Sequence, residues 1–204
     1  ANYVGANSTD EMATAVAAAL KSQPSFVYTY LNTLDAAGHN DGVGSDKWLT
    51  ALQQVAELIE RIVSTAPVGT RVWITSDHGM VNSTQQSILG EDNQLLDNVT
   101  LIGGEPRARH IYLKDGTQSE TILQWREFYK DQVQVFSKAD AIAANLFGDV
   151  VSEDAMDRMG DLIAIPNNDL ILIDPERIRQ ESGMVGHHGG LTDLEINIPL
   201  LTSK

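Results

Sequence analysis

The sequence contains no cysteine, few basic residues and no long apolar run, and each absence excludes a class of function. Without cysteine the chain can form neither a disulfide nor a thiolate metal site, so any metal must be held by His, Asp or Glu. Its 14 Lys and Arg residues stand against 28 Asp and Glu residues, for a net charge of −14. Polymeric nucleic acid is therefore an unexpected partner, because its phosphate backbone requires a basic surface. No apolar stretch approaches the roughly 18 residues that suggest a membrane span.

The negative charge still allows a small phosphorylated substrate such as a nucleotide or another phosphodiester. Bound divalent metals would reverse the sign of the local field and attract the phosphate. The lack of cysteine is compatible with either side of a membrane, so the sequence leaves the compartment of the protein open. The composition, 42% hydrophobic and 21% charged, is typical of a globular domain.

The first part of the chain is predicted to alternate helices and strands. A capping box at Ser8–Glu11 predicts a helix that runs to Leu20. Phe26–Leu34 is almost entirely apolar, aromatic or β-branched, which predicts a strand buried on both faces. Apolar residues recur at helical spacing over Trp48–Val63, and Arg71–Ser76 predicts a second short buried strand. This order of strand, helix and strand indicates a parallel crossover unit and an α/β fold.

The rest of the chain has shorter elements after a polar segment, 81–97, which predicts a surface loop. The middle, about 99–160, could form a small α+β lobe inserted into a main sheet built from about 1–98 and 161–204. The predicted strands and helices here are strands at Val99–Ile102, His110–Leu113, Val133–Phe136, Leu162–Ile165, Leu170–Ile173 and Ile196–Leu201, and helices at Thr121–Tyr129 and from Ser137 to Gly148.

Two Asp/His pairs stand at the ends of the first two predicted strands. Asp35 ends the first strand and His39 follows four residues later, while Asp77 and His78 end the second. Ligands bind beyond the carboxyl ends of the strands in open α/β sheets, so both pairs are predicted at one edge. Carboxylates combined with imidazoles suit zinc, manganese or iron better than calcium.

A third histidine site is the sequence Gly-His-His-Gly, in which His187 and His188 are adjacent. A single Asp or His in a turn is usually a helix cap or a solvated loop residue, and His110, in the middle of a predicted strand, is interpreted as structural. The set as a whole favours a metal site, because two Asp/His pairs at strand ends occur together with a histidine in a glycine-rich loop.

Three motifs carry a specific resemblance. Thr75–Met80 reads TSDHGM, Leu34–Gly42 reads LDAAGHNDG and Gly186–Thr192 reads GHHGGLT. Their order and rough spacing resemble the nucleotide pyrophosphatase/phosphodiesterase branch of the alkaline-phosphatase superfamily. In that family two metals, usually zinc, share one phosphate. The resemblance implies an alkaline-phosphatase-like α/β fold with a mostly parallel sheet flanked by helices.

The resemblance also implies a ligand set for each of two divalent metals. The sets are Asp35, His39 and His188 for one metal, and Asp77 and His78 for the other. His188 is preferred to His187 because the ligand of the family directly precedes glycine. Zinc is the expected metal, with manganese or iron as alternatives.

The sequence departs from the family pattern in the nucleophile. The family places a further Asp, and then a Thr or Ser nucleophile at a helix N-terminus, well before the strand that ends at Asp35. Ser8 and Thr9 are interpreted as helix caps, and Thr33 and Thr75 fall within predicted strands. We therefore expect the nucleophile upstream of residue 1, in a longer enzyme of which this chain is the C-terminal part. Alone, the chain is expected to be inactive and to expose a sheet edge through which it could self-associate.

The function implied by the resemblance is metal-dependent hydrolysis of phosphate esters through a phospho-Thr or phospho-Ser intermediate. A phosphodiesterase or nucleotide pyrophosphatase is the first reading. A phosphonoacetate hydrolase or a phosphomonoesterase of the same superfamily is the alternative within the enzyme class. A non-catalytic metal-binding or interaction module is the alternative outside it, and such a module would be expected to have lost ligands.

Overall fold

The structure, a computed structural model, describes residues 1–22, 24–91 and 93–203. The chain divides into two compact units. The first unit comprises residues 1–77 and the C-terminal segment from Ile198, and the second comprises residues 78–197. The predicted lobe at about 99–160 stays a prediction, because these units describe packing within the chain and not insertion into a larger sheet.

The described residues contain eight helices and ten strands, with three helices first and five consecutive strands after them. The helices are α1 (Thr9–Ala19), α2 (Thr33–Asp41), α3 (Asp46–Thr65), α4 (Gln118–Tyr129), α5 (Lys138–Ala143), α6 (Glu153–Asp157), α7 (Ile178–Glu181) and α8 (Asp193–Ile196). The strands are β1 (Trp73–Thr75), β2 (Val81–Asn82), β3 (Gln85–Ile88), β4 (Val99–Glu105), β5 (Ala108–Leu113), β6 (Val133–Ser137), β7 (Leu162–Pro166), β8 (Leu170–Ile173), β9 (Gly186–His187) and β10 (Leu200–Thr202).

In the first unit the two long predicted helices are confirmed, and each begins at a serine cap. The Ser8 Oγ accepts a hydrogen bond from the N–H of Glu11 at 3.2 Å, and the Ser45 Oγ accepts one from the N–H of Trp48 at 3.1 Å. These bonds satisfy amide groups that the first helical turn leaves without a partner in the helix. Helices α1 and α2 both pack against α3, whose Leu58 is buried.

The predicted strand at Phe26–Leu34 is wrong. Residues 26–32 contain neither helix nor strand, and α2 begins at Thr33. The Phe26 and Tyr28 side chains are 93% and 77% exposed. A strand is stabilised by hydrogen bonds and side-chain contacts with neighbouring strands, and within the described residues this segment pairs with none. Composition alone could not show whether such a neighbour lies alongside.

The second predicted strand exists as β1, but its partner differs from the prediction. β1 pairs with β10 in an antiparallel direction, with Ile74 opposite Leu201. The predicted parallel crossover is wrong, because residues 26–34 do not form its first strand. Neither β1 nor β10 contains a buried residue. The last strand also starts later than predicted, since Ile196 lies in α8.

The second unit is organised around an antiparallel sheet in the order β4-β5-β7-β6. All residues of β7 are buried, and Trp125 and Tyr129 of α4 pack in the same core. The predicted strands β4 to β8 and helix α4 are thus confirmed. β4 and β5 form a hairpin with Glu105 opposite Ala108, which leaves Pro106 and Arg107 as the turn.

The segment 81–97 is not the simple surface loop that its polarity suggested, because it contains β2 and β3. β3 pairs in parallel with β8, whose residues are all buried, while the glutamines of β3 are exposed. A polar segment can therefore form a strand where one face of that strand is exposed to solvent. Asp92, within the predicted loop, lies outside the described residues. Helix α5 ends at Ala143 and not at Gly148.

The α/β fold class is confirmed, whereas the expected direction of the strands is corrected. Among the strand pairs of the described residues, β3–β8 is parallel and the others are antiparallel. In the same residues, no helix combines the length and the apolar character needed to cross a membrane.

Candidate metal centre

Asp35 and His39 lie on one face of α2, in the first unit. Residues four apart in a helix are neighbours, and the Asp35 Oδ1 lies 3.4 Å from the His39 Nε2. The Asp35 Oδ1 is also shielded from solvent. The prediction that Asp35 ends a strand is wrong, yet the pairing that it suggested is present, because an Asp-x-x-x-His spacing brings the two side chains together on a helix.

Asp77 follows β1 and is exposed. Its carboxylate and that of Asp35 both raise the pKa of Tyr30. The pKa of Tyr30 is raised above 10.0 by the Asp77 carboxylate first, then by burial and by the Asp35 carboxylate. A negative phenolate is disfavoured there because both carboxylates are negative. This end of the first unit is thus an electronegative region that a cation would neutralise.

His78 and His188 are brought together in the second unit. Their imidazole rings stack with centroids 3.6 Å apart and planes inclined by 14°. The Nδ1 of His78 donates a hydrogen bond to the carbonyl oxygen of Gly79 at 2.9 Å. Because a carbonyl oxygen only accepts, the lone pair of the neutral His78 ring is on Nε2, as a metal ligand requires.

His187 has a different environment from His188, although the two are adjacent in the sequence. It lies in β9 opposite Val81, and only 1% of it is exposed. Its Nε2 donates to the carbonyl oxygen of Glu181 at 3.2 Å, and its Nδ1 lies 3.1 Å from the Ser83 Oγ. Both ring nitrogens therefore serve the packing of the loop, which favours His188 as the ligand.

Sequence reasoning missed a buried ion pair beneath the histidine loop. The guanidinium of Arg107 donates two hydrogen bonds to the carboxylate of Glu195, Nε to Oε1 at 3.0 Å and Nη2 to Oε2 at 2.7 Å. The carboxylate also accepts from the Gly190 N–H at 2.8 Å and from the Thr192 Oγ1 at 2.6 Å. The available signal was Thr-x-x-Glu from Thr192 to Glu195 at the start of α8, which is the pattern of a capping box.

A second buried ion pair joins Arg109 of β5 to Glu181 of α7. The Arg109 Nε also donates to the carbonyl oxygen of Leu172 at 2.9 Å, and the Glu181 Oε2 accepts from the N–H of Asp174 at 3.0 Å. Both arginines of the Arg-Ala-Arg sequence thus point into the protein, where each meets one carboxylate.

The pKa of Glu195 gives a testable consequence for stability. Burial raises the pKa of this carboxyl, but the hydrogen bonds from Arg107, Thr192 and Gly190 outweigh burial and hold it below its ordinary value of 4.5. Stabilisation by the charged form is therefore fully present above about pH 4.5 and is lost as the pH falls through the lower folded-state pKa. We expect the stability difference between the wild type and Glu195→Gln to shrink over that interval. Urea unfolding at about pH 7 and about pH 3 measures it, and a difference that is constant with pH would contradict the assignment.

The remaining candidate residues of the sequence have structural roles. Ser8 caps α1, and the Thr75 Oγ1 donates to the carbonyl oxygen of Pro199 at 2.9 Å. Thr33 is the first residue of α2, so its predicted place in a strand is wrong. The His110 Nδ1 accepts from the Gly160 N–H at 3.1 Å, and burial, followed by the charge of Lys138, lowers the pKa of His110.

Comparison with known proteins supports the motif-based resemblance. The family model of type I phosphodiesterase/nucleotide pyrophosphatase matches residues 4–191. The curated proteins compared with the chain include no match.

Solved structures show where the fold recurs. Murine ectonucleotide pyrophosphatase/phosphodiesterase 5 superposes with a TM-score of 0.70 at 17% identity, over 98% of this chain and 53% of the murine chain. The human protein of that name gives 0.67 at 19% identity, over 99% and 54%. Phosphonoacetate hydrolase from Sinorhizobium meliloti 1021 gives 0.62 at 19% identity, over 82% and 43%. The chain thus spans about half the length of these proteins, and at these identities the likeness concerns the fold.

Proposed function

This chain belongs to the type I phosphodiesterase/nucleotide pyrophosphatase family, and from that membership we propose that it is part of a metal-dependent hydrolase of phosphate esters. The observation that carries the proposal is the family match over residues 4–191, which contains every proposed ligand. The proposed ligands are Asp35, His39 and His188 for one metal, and Asp77 and His78 for the other.

The chemistry of these residues fits a divalent metal such as zinc, with manganese or iron as alternatives. Asp35 and His39 offer a carboxylate and an imidazole on one helix face, and His78 holds the tautomer with its lone pair on Nε2. When bound, a pair of such metals lowers the pKa of an attacking hydroxyl and neutralises a leaving oxygen. The residues of this chain hold and orient those ligands.

The attacking hydroxyl is proposed to come from a Thr or Ser outside this chain. In the first unit, the Thr75 hydroxyl is engaged with the Pro199 carbonyl, and Thr33 stands at the start of α2. Attack by an upstream hydroxyl on phosphorus would break the bond to the leaving oxygen, release the leaving alcohol or phosphate and form a phospho-Thr or phospho-Ser intermediate. Water would then cleave the intermediate, releasing the remaining phosphoryl group as a phosphate monoester and regenerating the hydroxyl. The non-catalytic alternative predicts loss of ligands, whereas the residues of both sets are all present in the sequence.

The substrate is proposed to be a phosphodiester or nucleotide. One structure of the murine relative is an inactive variant in complex with AMP, which is a nucleotide. Phosphonoacetate is the second candidate, because the phosphonoacetate hydrolase also shares the fold. The net charge of −14 keeps polymeric nucleic acid an unexpected partner.

The reaction class can be tested with the longer protein that contains this chain. With zinc supplied, we expect bis(p-nitrophenyl) phosphate to be cleaved faster than p-nitrophenyl phosphate, because the proposed site is that of a diesterase. Faster cleavage of the monoester, or of phosphonoacetate, would assign the chain to a sister activity.

The 204-residue chain alone provides the control. We expect it to bind at most one zinc ion tightly, since the second set has only two ligands, on adjacent residues, and to show only background hydrolysis. Isothermal titration of the metal-free chain, with an assay beside it, measures both properties. Turnover by the chain alone would show that its own residues include the nucleophile.

A further inference from the structure

Glu195 contacts both segments that carry the stacked histidines. Its carbonyl oxygen accepts a hydrogen bond from the N–H of Gly79, directly after His78, at 2.7 Å. Its carboxylate accepts one from the N–H of Gly190, two residues after His188, at 2.8 Å. One residue of α8 is therefore bonded to the backbone beside each histidine.

Arg107 fixes the carboxylate of Glu195 from the other side. Its two hydrogen bonds to that carboxylate are bidentate, and its Nη1 donates to the carbonyl oxygen of Leu170 at 2.6 Å. The Arg107 and Glu195 side chains are 0% and 1% exposed. A bidentate pair shielded from water has a defined geometry, because neither partner can turn away without leaving a buried charge unpaired.

The two glycines show how close this packing is. A Cβ at position 79 would lie 1.9 Å from the carbonyl oxygen of Leu194. A Cβ at position 190 would lie 2.8 Å from both the Arg107 Nη2 and the Glu195 Oε2. A side chain at position 79 would overlap the backbone of α8, and one at position 190 would displace the buried ion pair, so the two histidine segments are held at short range against α8 and the ion pair.

We propose that Arg107 and Glu195 are positioning residues that set the arrangement of His78 and His188. The ion pair anchors α8, and α8 then fixes the backbone on which each imidazole stands, which gives the ring separation of 3.6 Å. The consequence for metal binding rests on the proposed function, whereas the consequence for the ring arrangement stands without it.

The rival role for this pair is general stabilisation of the core, and the second buried pair provides the matched control. Arg109 and Glu181 are also buried, and Arg109 lies two residues from Arg107. The Glu181 carboxylate accepts hydrogen bonds from Arg109 and from the Asp174 N–H, and the main-chain carbonyl oxygen of Glu181 that contacts His187 is retained in Glu181→Gln. If core stability alone mattered, loss of either pair would affect the histidines equally.

The test is a histidine NMR spectrum of the metal-free chain, labelled at the imidazole Cε1. Stacked rings shift each other's proton resonances, so the His78 and His188 signals report their separation and tilt. We expect Glu195→Gln to move both signals and to leave that of His110 in place, while Glu181→Gln leaves the stacked pair in place. Folded Glu195→Gln with both signals unmoved overturns the proposal, as does an equal displacement in Glu181→Gln.

Thr192 offers a milder variant should Glu195→Gln not fold. Its Oγ1 donates to the Glu195 Oε2 at 2.6 Å. Thr192→Val keeps the shape of the side chain and removes that donor, and Thr192→Ser keeps the donor. We expect Thr192→Val to move the His78 and His188 signals, and Thr192→Ser to leave them at their wild-type positions. Identical spectra for the two variants overturn the proposal.

Zinc titration of the same variants separates this proposal from the function on which it partly rests. Loss of a positioning residue should weaken zinc binding by about 10–100-fold in Glu195→Gln, with a change of less than about tenfold in Glu181→Gln. A wild-type chain with no measurable zinc affinity would contradict the proposed ligand set of Asp35, His39 and His188, and the NMR result would then decide the positioning role. Unchanged zinc affinity in Glu195→Gln overturns the positioning role in metal binding.

Discussion

Replacing Arg107 with methionine should lower the free energy of unfolding by about 3–5 kcal/mol. The substitution leaves the Glu195 carboxylate buried without its bidentate partner, and the cost arises mainly from that uncompensated charge. It also removes the donor to the Leu170 carbonyl oxygen. Urea unfolding followed by circular dichroism measures the change.

The control for this prediction is the same substitution at Arg126, in the same unit. The ion pair between Arg126 and Asp140 is long, 3.9 Å, and both side chains are about half exposed. Arg126→Met should therefore cost about 1 kcal/mol, mostly from its hydrogen bonds to the carbonyl oxygen of Val135. Equal losses for the two variants would show that the Arg107 pair contributes no more than a surface contact.

Replacing His188, the proposed ligand, with alanine should weaken zinc binding by more than about 100-fold, because a direct ligand contributes more than the residues that orient it. Replacing His187 should change the zinc affinity by less than about tenfold and should instead lower the thermal unfolding temperature. The reason is that His187 is buried and bonded to Ser83 and Glu181. Calorimetric titration and thermal unfolding of both variants separate the effects. The reverse order of zinc affinities would move the assignment from His188 to His187.

Local patterns predicted the second unit better than the first. Several elements of the second unit either pair with a strand close in the sequence or are buried, so their hydrophobic patterns predicted them correctly. They are the strands around Ile111, Val135 and Ile171 and the helix around Trp125. Phe26–Leu34 has an equally strong pattern and forms no strand, because a strand requires a partner and pattern alone supplies none.

In the candidate site, too, contacts between residues close in the sequence could be predicted, whereas contacts between distant residues could not. The Asp35–His39 contact could be predicted, because a spacing of four brings the side chains together on a helix even though a strand end was expected. The family resemblance implied that His78 and His188 hold different metals at one site, and it did not predict the contact between their rings. The Arg107–Glu195 pair joins residues 88 apart, and neither residue stands in a motif that points to the other.

Glycines stand next to the histidines of the proposed ligand sets, as Gly79 does to His78. A glycine at such a position lets the backbone approach a neighbouring group closely. At Gly79 the close neighbour is the Leu194 carbonyl oxygen of α8. A glycine beside a proposed ligand can thus be required by the packing that positions the ligand.

The sequence separation of the Arg107–Glu195 pair has a consequence for the order of folding. The β4–β5 hairpin closes through a two-residue turn, whereas the ion pair that starts from this turn closes a loop of 88 residues. Short loops close at a smaller entropic cost and therefore earlier than long ones. We expect the hairpin to form first and the stacked histidines to assemble late in folding, when α8 docks. Pulsed hydrogen exchange should accordingly show protection of the hairpin, at the amide of Tyr112 opposite Leu101, before that of Gly79 and Gly190, and simultaneous protection would contradict this order.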